Sequence, residues 1–568
     1  MTVLAGAARA EVLPVAFAGP SREGPLTMAQ ANMLRRMTEL RESGDPYTMN
    51  LWLSVAVPGG TALDRVGAAL SGLLARHEVL RSRFRLPAEA GQGEPRQRVT
   101  GAGTLAVGVH EAGTRMAATV EGLRAALFET HFDVTGELPL RAAVVTRDGA
   151  PVRLLLALSH LACDQGSVEV LRRDLGWLLR TGAAPPTPHP TRQPIDQAEH
   201  ERTPAALARS EAALDFWRTT VAGSPQAMFA VPLAPPDAEP FAHARMCSPA
   251  IALASAAVAA RTRTSPATAL LAAIAALVGL RTGQDRCLIA TPTANRFLPE
   301  LLDFLGPLAQ DAVLAVPLED GTFDDLVRRT RTASLAGYRH SRYDANRLWA
   351  HIDAIGIARG TKYARDTVVN NVSPPVQGPL RPCSAGQLAD ALGETELFWI
   401  HAEDLPARFL CYIHRMEGAA ELSLWASTRH LPRPEIAAFL SGIERLLVAA
   451  ATEPVPLAEL STVAGVAAPS RGDDWVFVDR CWVRPSDCRR VLVGLPSVRT
   501  AAVFATGTGL VGYLLPSSPG VDLVGLHAEC VAALPGNESA MAPHRYVVCA
   551  SESPSVDRLI GLLADLVR

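Results

Sequence analysis

The segment GAAPPTPHPTRQP, residues 182–194, constrains the fold more than any other stretch of the chain. Proline lacks a backbone N–H and clashes with the preceding helical turn, so neither a helix nor a central strand runs through this segment. A chain of 568 residues is long enough for several domains. The break therefore reads as a linker between a first lobe, residues 1–181, and a second, residues 195–455. A further break, TEPVPLAELSTVAGVAAPSRG (452–472), gives a linker over 456–469 and sets off residues 470–568 with their own pattern.

Both lobes mix strands and helices. EVLPVAFA (11–18) and TMNLWLSVAVP read as strands, and Thr27 and Gln30 have capping-box spacing for a helix between them. A helix is expected from Thr61, and LRAAVVTR and VRLLLALSH form a hairpin across DGAP. In the second lobe, Ser265 caps and Pro266 opens a buried helix. RCLIATPT, DTVVNNV, ARFLCYIHRM and AAELSLWAS read as strands, with helices from about Thr322 and about Pro434 to Ala451. The fold class is α/β (α+β), with two lobes and a small α+β appendage.

Composition removes several functions. Net charge is −3, so no strong field argues for nucleic acid or an anionic membrane. The longest apolar stretch, Ala267 to Leu280, is shorter than the roughly 18 residues of a membrane span. No charged n-region followed by an apolar core opens the chain, and nine scattered cysteines include no CxxC pair, which reads as a cytoplasmic protein with reduced thiols. No histidine–cysteine spacing suits zinc. Lys362 is the only lysine, and it lies in RGTKYAR rather than in a P-loop. This argues against P-loop ATP chemistry and pyridoxal chemistry alike.

The chemistry-bearing stretch is LLLALSHLACDQGSVEVLRRDL, Leu154 to Leu175. An apolar strand stops at Ser159-His160, passes a polar turn with Asp164, Gln165 and Gly166, and becomes helical. A lone histidine at a strand end is more often a hydrogen-bonded core residue than a catalyst, and this stretch alone leaves both readings open.

Its neighbours add a family resemblance. SHLACDQG resembles the HHxxxDG motif of the condensation domains of nonribosomal peptide synthetases. GPLTMAQANML, RHEVLRSRF, TPTANRFLPELLDFLGPLAQD, HSRYDANRL and DTVVNNV resemble further motifs of that family in order, from about residue 11 to 455. The resemblance implies a chloramphenicol acetyltransferase-like pseudo-dimer with a tunnel between its lobes. It also implies acyl transfer from a carrier-protein phosphopantetheine thioester to an amine or alcohol, with no intrinsic cofactor. The partners it implies are carrier proteins, with neither nucleic acid nor membrane involved.

Under the resemblance, His160 matches the histidine that handles the proton or positions the nucleophile. Asp164 and Arg296 match a structural ion pair, and Asn370 a tunnel-facing residue. Ser159 stands for the motif's first histidine and Gln165 for its glycine, which puts Ser159, Gln165 and Gly166 at the tunnel wall. These two departures keep open a second reading, a lapsed relative that recruits a partner; a relative using free or coenzyme A-linked donors is a third. His77 and Arg81 buttress the first lobe.

Residues 470–568 resemble the small C-terminal subdomain of adenylation enzymes, with Arg471 and Asp473 matching its hinge. In SESPSVDRL, Ser555 occupies the place of the catalytic lysine beside Asp557 and Arg558. The expectation is a folded appendage unable to activate amino acids.

Overall fold

The computed structural model describes residues 11–44, 48–87, 93–186, 192–232, 239–401, 407–507 and 509–549. Contacts divide the chain into two compact units: Met1–Ala212 with Thr293–Gln310 and Arg342–Arg347, and Ala213–Pro292 with Asp311–Ser341 and Leu348–Arg568.

The strands of the first unit are β1 (Glu11–Ala18), β2 (Arg22–Pro25), β3 (Leu51–Ala56), β4 (Ser82–Arg85), β5 (Arg96–Val99), β6 (Ala102–Glu111), β7 (Leu140–Arg147) and β8 (Ala150–Leu158). They form a five-stranded sheet, β1-β6-β7-β8-β3, and a small one, β2-β5-β4. Asp148 and Gly149 both have left-handed φ, which suits the tight turn joining β7 to β8. Leu154 to Leu158 have no exposed surface, as expected of an unbroken apolar run in a covered strand. Thr27 caps the helix α1 (Met28–Glu42) through the expected capping box. The helix α2 (Leu63–Arg76) starts after Ala62, two residues later than the pattern around Thr61 suggests. The helix α3 is Met116–Phe128. In α4 (Gln165–Thr181), Val168, Leu171, Leu175 and Leu178 are buried at helical spacing and join the core of the five-stranded sheet.

The second unit holds β9 (Phe241–Ser248), β10 (Arg286–Thr293), β11 (Gln310–Pro317), β12 (Thr367–Asn371), β13 (Glu396–Ile400), β14 (Phe409–Arg415) and β15 (Ala420–Ser427). Their order is β11-β10-β12-β14-β15-β9-β13. The helices Pro249–Thr262 and Arg433–Thr452 pack on one face of this sheet, where the Phe409 and Phe439 rings meet at 5.2 Å. Ser265 caps the helix Pro266–Thr282, nearly all of which is buried. Among the described residues no single helix is long and apolar enough to cross a membrane.

Contacts group two segments otherwise than the expected linkers do. The first unit continues past the proline-rich segment to Ala212. The reason is the helix α5 (Pro194–Glu201): Gln193 caps it, Ile195 packs under Gly24, and Asp196 pairs with Arg22. Residues 187–191 of that segment lie outside the described residues. The expected linker 456–469 is part of the body, because Leu460, Ala464 and Val466 bury their apolar side chains and Arg445 donates to the Ala464 carbonyl.

Residues 470–568, expected as a compact appendage that packs on the body or docks a carrier or partner protein, fall into the second unit. Their strands β16 (Val476–Val478), β17 (Cys481–Val483), β18 (Val498–Thr506), β19 (Gly509–Pro516) and β20 (Arg545–Val548) surround their own core. Polar contacts fasten them to the body. The Gln226 amide donates to the Glu538 and Ala540 carbonyls at 2.9 and 2.8 Å, Trp482 Nε1 donates to the Gly283 carbonyl at 2.7 Å, and Arg359 pairs with Asp479. Arg471, at the expected hinge, donates to the Thr282 carbonyl and lies over the Trp482 ring. Ser555, Asp557 and Arg558 lie outside the described residues.

Candidate active site

The site grows from the end of β8. The Ser159 carbonyl accepts from the Ala162 and Cys163 amides at 3.0 and 3.1 Å, which turns the chain sharply after the strand. Ser159 is fully buried, and its hydroxyl faces the Leu161 amide at 3.4 Å. The small side chain is thus spent on its own turn.

Asp164 is the N-cap of α4, and its carboxylate accepts from the Ser167 amide at 2.8 Å. The same carboxylate takes a bidentate pair from Arg296 at 2.8 and 2.9 Å and the Leu308 and Ala309 amides at 2.9 and 3.2 Å. With the Ser167 hydroxyl at 2.9 Å it faces six donors. A carboxylate offers about four lone-pair sites, so none is left to orient His160. Burial alone would raise the Asp164 carboxyl. The Arg296 charge and hydrogen bonds, with the Leu308 and Ser167 amides, outweigh it and hold Asp164 below the usual carboxylate range.

Arg296 is aimed by the residue before it. Asn295 has a left-handed φ of 56°, a conformation asparagine tolerates, and its side-chain amide donates to the Leu308 carbonyl. Gly166 makes room for the guanidinium: a Cβ there would lie 2.8 Å from Arg296 Cζ. Gly306, with a φ of 152°, donates to the Ser167 hydroxyl at 3.1 Å. Ser167, Asn295 and Gly306 were not singled out from the sequence. A serine three residues after a capping Asp is the signal for the first; the other two show only as turn residues.

His160 stands on this turn, half-buried. Its Nδ1 is buried within the turn. Burial lowers the imidazole pKa below its ordinary value, while the Asp164 charge and the backbone of His160 and Cys163 pull the other way. The ring is therefore neutral near pH 7 and can accept a proton. Gln165, expected at the tunnel wall, is exposed at the first position of α4. The first-turn amides of α4 are partly spent, since Ser167 N already serves Asp164.

A second buried hub holds α4 against α2. Asp174 has no exposed surface, and His77 Nε2 and Arg76 Nε each lie 3.1 Å from its Oδ2. The signal for Asp174 was a charge on the apolar face of a helix. Arg81 donates to the Pro20 and Thr100 carbonyls at 2.6 and 2.8 Å. Asn370 is half-buried on β12 in the other unit, its backbone in register with Tyr412. Among the described residues no group of three His, Cys, Asp or Glu could hold a metal ion.

Comparison with known proteins gives this turn a context. The Condensation domain family model matches residues 21–356. Phosphinothricin tripeptide synthetase PhsC of Streptomyces viridochromogenes is 31% identical over 329 residues, which are 55% of this chain and 29% of PhsC. Two solved structures share the fold. SgcC5 of Streptomyces globisporus has a TM-score of 0.55 and 23% identity, covering 76% of this chain and 100% of SgcC5. The X-domain from teicoplanin biosynthesis, solved in a complex with OxyB, has a TM-score of 0.58 and 20% identity, covering 77% of this chain and 96% of that one. With the family model matched over more than half its length, and with nonribosomal peptide synthetases among its relatives, the chain belongs to the condensation domain family.

Proposed function

We propose that the chain transfers an acyl group from a carrier-protein phosphopantetheine thioester to an amine or alcohol in natural-product assembly. The nucleophile attacks the thioester carbonyl, a C–N or C–O bond forms, and the C–S bond breaks. The proton leaves the nucleophile through the His160 imidazole and ends on the departing sulfur. The thioester is already activated, so the work left to the protein is positioning and one proton transfer. The observation that carries this reading is His160: a half-buried neutral imidazole on a turn whose neighbouring carboxylate is fully engaged elsewhere. In this reading Asp164 and Arg296 shape the turn and take no proton, Ser159 closes it, and Asn370 contacts substrate. The test is a purified acyl-carrier thioester offered candidate amines and alcohols, with product followed by mass spectrometry.

Ser159 in place of the motif's histidine favours a second reading, a lapsed domain that recruits a partner. The same assay separates the two, because a recruiter binds without forming product. Residues 470–568 act as a fixed buttress of the second unit in our reading, a role supported by the contacts of Gln226, Trp482 and Arg471. In the same reading the appendage activates no amino acid, and ATP–pyrophosphate exchange by the intact chain would contradict that.

A further inference from the structure

Like charges gather in the first unit beside the loop that aims Arg296. Arg192, Arg209 and Arg342 lie close to His200: burial first, and then these three charges, hold its imidazole below the ordinary pKa, with Glu300 pulling the other way. Arg342 is half-buried. Its Nη2 donates to the Asn295 carbonyl at 2.7 Å, and its guanidinium lies 5.9 Å from the centre of the Phe297 ring. Phe297 itself is 64% exposed, a large flat ring held out of the core.

The carboxylates within reach do not balance these charges. Glu300 accepts from Arg192 at 3.1 Å. Glu201 accepts from the Met28 backbone amide at 2.6 Å and the Gln197 side-chain amide at 2.9 Å, and burial raises its carboxyl above the ordinary range. Among the described residues neither Arg209 nor Arg342 pairs with a carboxylate. Arginine keeps its charge at every working pH, so the group is left with positive charge in excess. Partial burial strengthens the repulsion among these charges, and a bound anion relieves it.

We propose that Arg192, Arg209, Arg342 and Phe297 bind the adenosine 3′,5′-bisphosphate end of coenzyme A. The guanidiniums take the phosphate groups, and the Phe297 ring stacks on the adenine. Charge favours this ligand over the phosphopantetheine arm of a carrier protein. That arm holds one phosphodiester with a single charge, whereas coenzyme A adds a second bridging phosphate and a 3′-phosphomonoester of about −1.5 to −2. A coenzyme A thioester is on this view a second form of donor beside the carrier-borne one. The inference rests on the acyl-transfer reading only in taking coenzyme A to bring an acyl group; the patch is defined by its own residues.

The test measures binding to the full chain, not turnover. Adenosine 3′,5′-bisphosphate, pantetheine 4′-phosphate, inorganic phosphate and adenosine are each titrated calorimetrically at an ionic strength of about 0.15 M. The bisphosphate should bind at least about 10-fold tighter than any of the other three. Arg209→Ala and Arg342→Gln should each weaken it about 10-fold, and Phe297→Ala about 5-fold or more. Arg209 and Phe297 are exposed, so their variants keep the fold and decide the outcome if Arg342→Gln does not fold. Undetectable bisphosphate binding, an equal affinity for pantetheine 4′-phosphate, or a bisphosphate affinity untouched by the two exposed variants would overturn the proposal. Bisphosphate binding that these variants weaken, in a chain that forms no product, would sink acyl transfer and leave this inference standing.

Discussion

Replacing Arg296 by alanine tests what holds the turn. The Asp164 and Arg296 side chains are 2% and 10% exposed. Removing one member of a buried pair leaves an uncompensated charge and costs about 3–5 kcal/mol. Asp164 keeps the Ser167, Leu308 and Ala309 donors, which places the loss toward about 3 kcal/mol. For a unit of this size that lowers the melting temperature by roughly 6–12 °C. Asp164→Asn should cost a similar amount, because its amide group would turn donors toward the Leu308 and Ala309 amides. The assay is calorimetry of both single variants and the double variant. If the pair is one interaction, the double variant loses less than the sum by about 1–3 kcal/mol. Single losses that add within about 0.5 kcal/mol, or an Arg296→Ala protein that melts like the parent, would refute the reasoning.

Stability should also fall in acid. The folded Asp164 and Asp174 carboxyls lie below their unfolded range, so their contribution is present above about pH 4 and is lost as pH drops through the folded values; a pH series of melting temperatures that is flat from 5 down to 2 would contradict it. Gly166→Ala should destabilise by about 1–3 kcal/mol, although alanine is the better helix former, because its Cβ meets the Arg296 guanidinium; an unchanged or raised melting temperature would show that Arg296 can move aside. Gln165→Gly, one position earlier and exposed, should leave the fold intact, and comparison of KM across several donors tests its expected substrate contact. Deleting residues 470–568 should lower the soluble yield and melting temperature of the second unit, since Gln226, Arg359 and Arg408 lose their partners; an unaltered transition would contradict the buttress.

Local order was legible where one chemical feature decides it. The capping box at Thr27, the Ser265 cap and the hairpin at Asp148-Gly149 each depend on a few adjacent residues. The Asp164–Arg296 juxtaposition spans 132 positions and was reached through motif resemblance, since no local pattern encodes it. What lay beyond reading was the scaffolding around the pair. Ser167 and Asn295 are ordinary helix-start and loop residues until the fold brings Gly306 and Leu308 beside them. Residues 456–469 misled because their prolines and glycines are also compatible with short packed turns, which only the burial of Leu460 and Ala464 reveals.

The central claim is that His160 handles the proton of acyl transfer. Single-turnover transfer from a loaded carrier protein, compared between the parent chain and His160→Ala, tests it most directly. Loss of a general base or positioning imidazole should slow the chemical step by about 10²–10⁴-fold while the melting temperature holds. The parent rate should stay level as pH falls past the ordinary imidazole value and drop only below it, because burial lowers the His160 pKa. A His160→Ala protein that is folded and forms product at close to the parent rate would contradict the account.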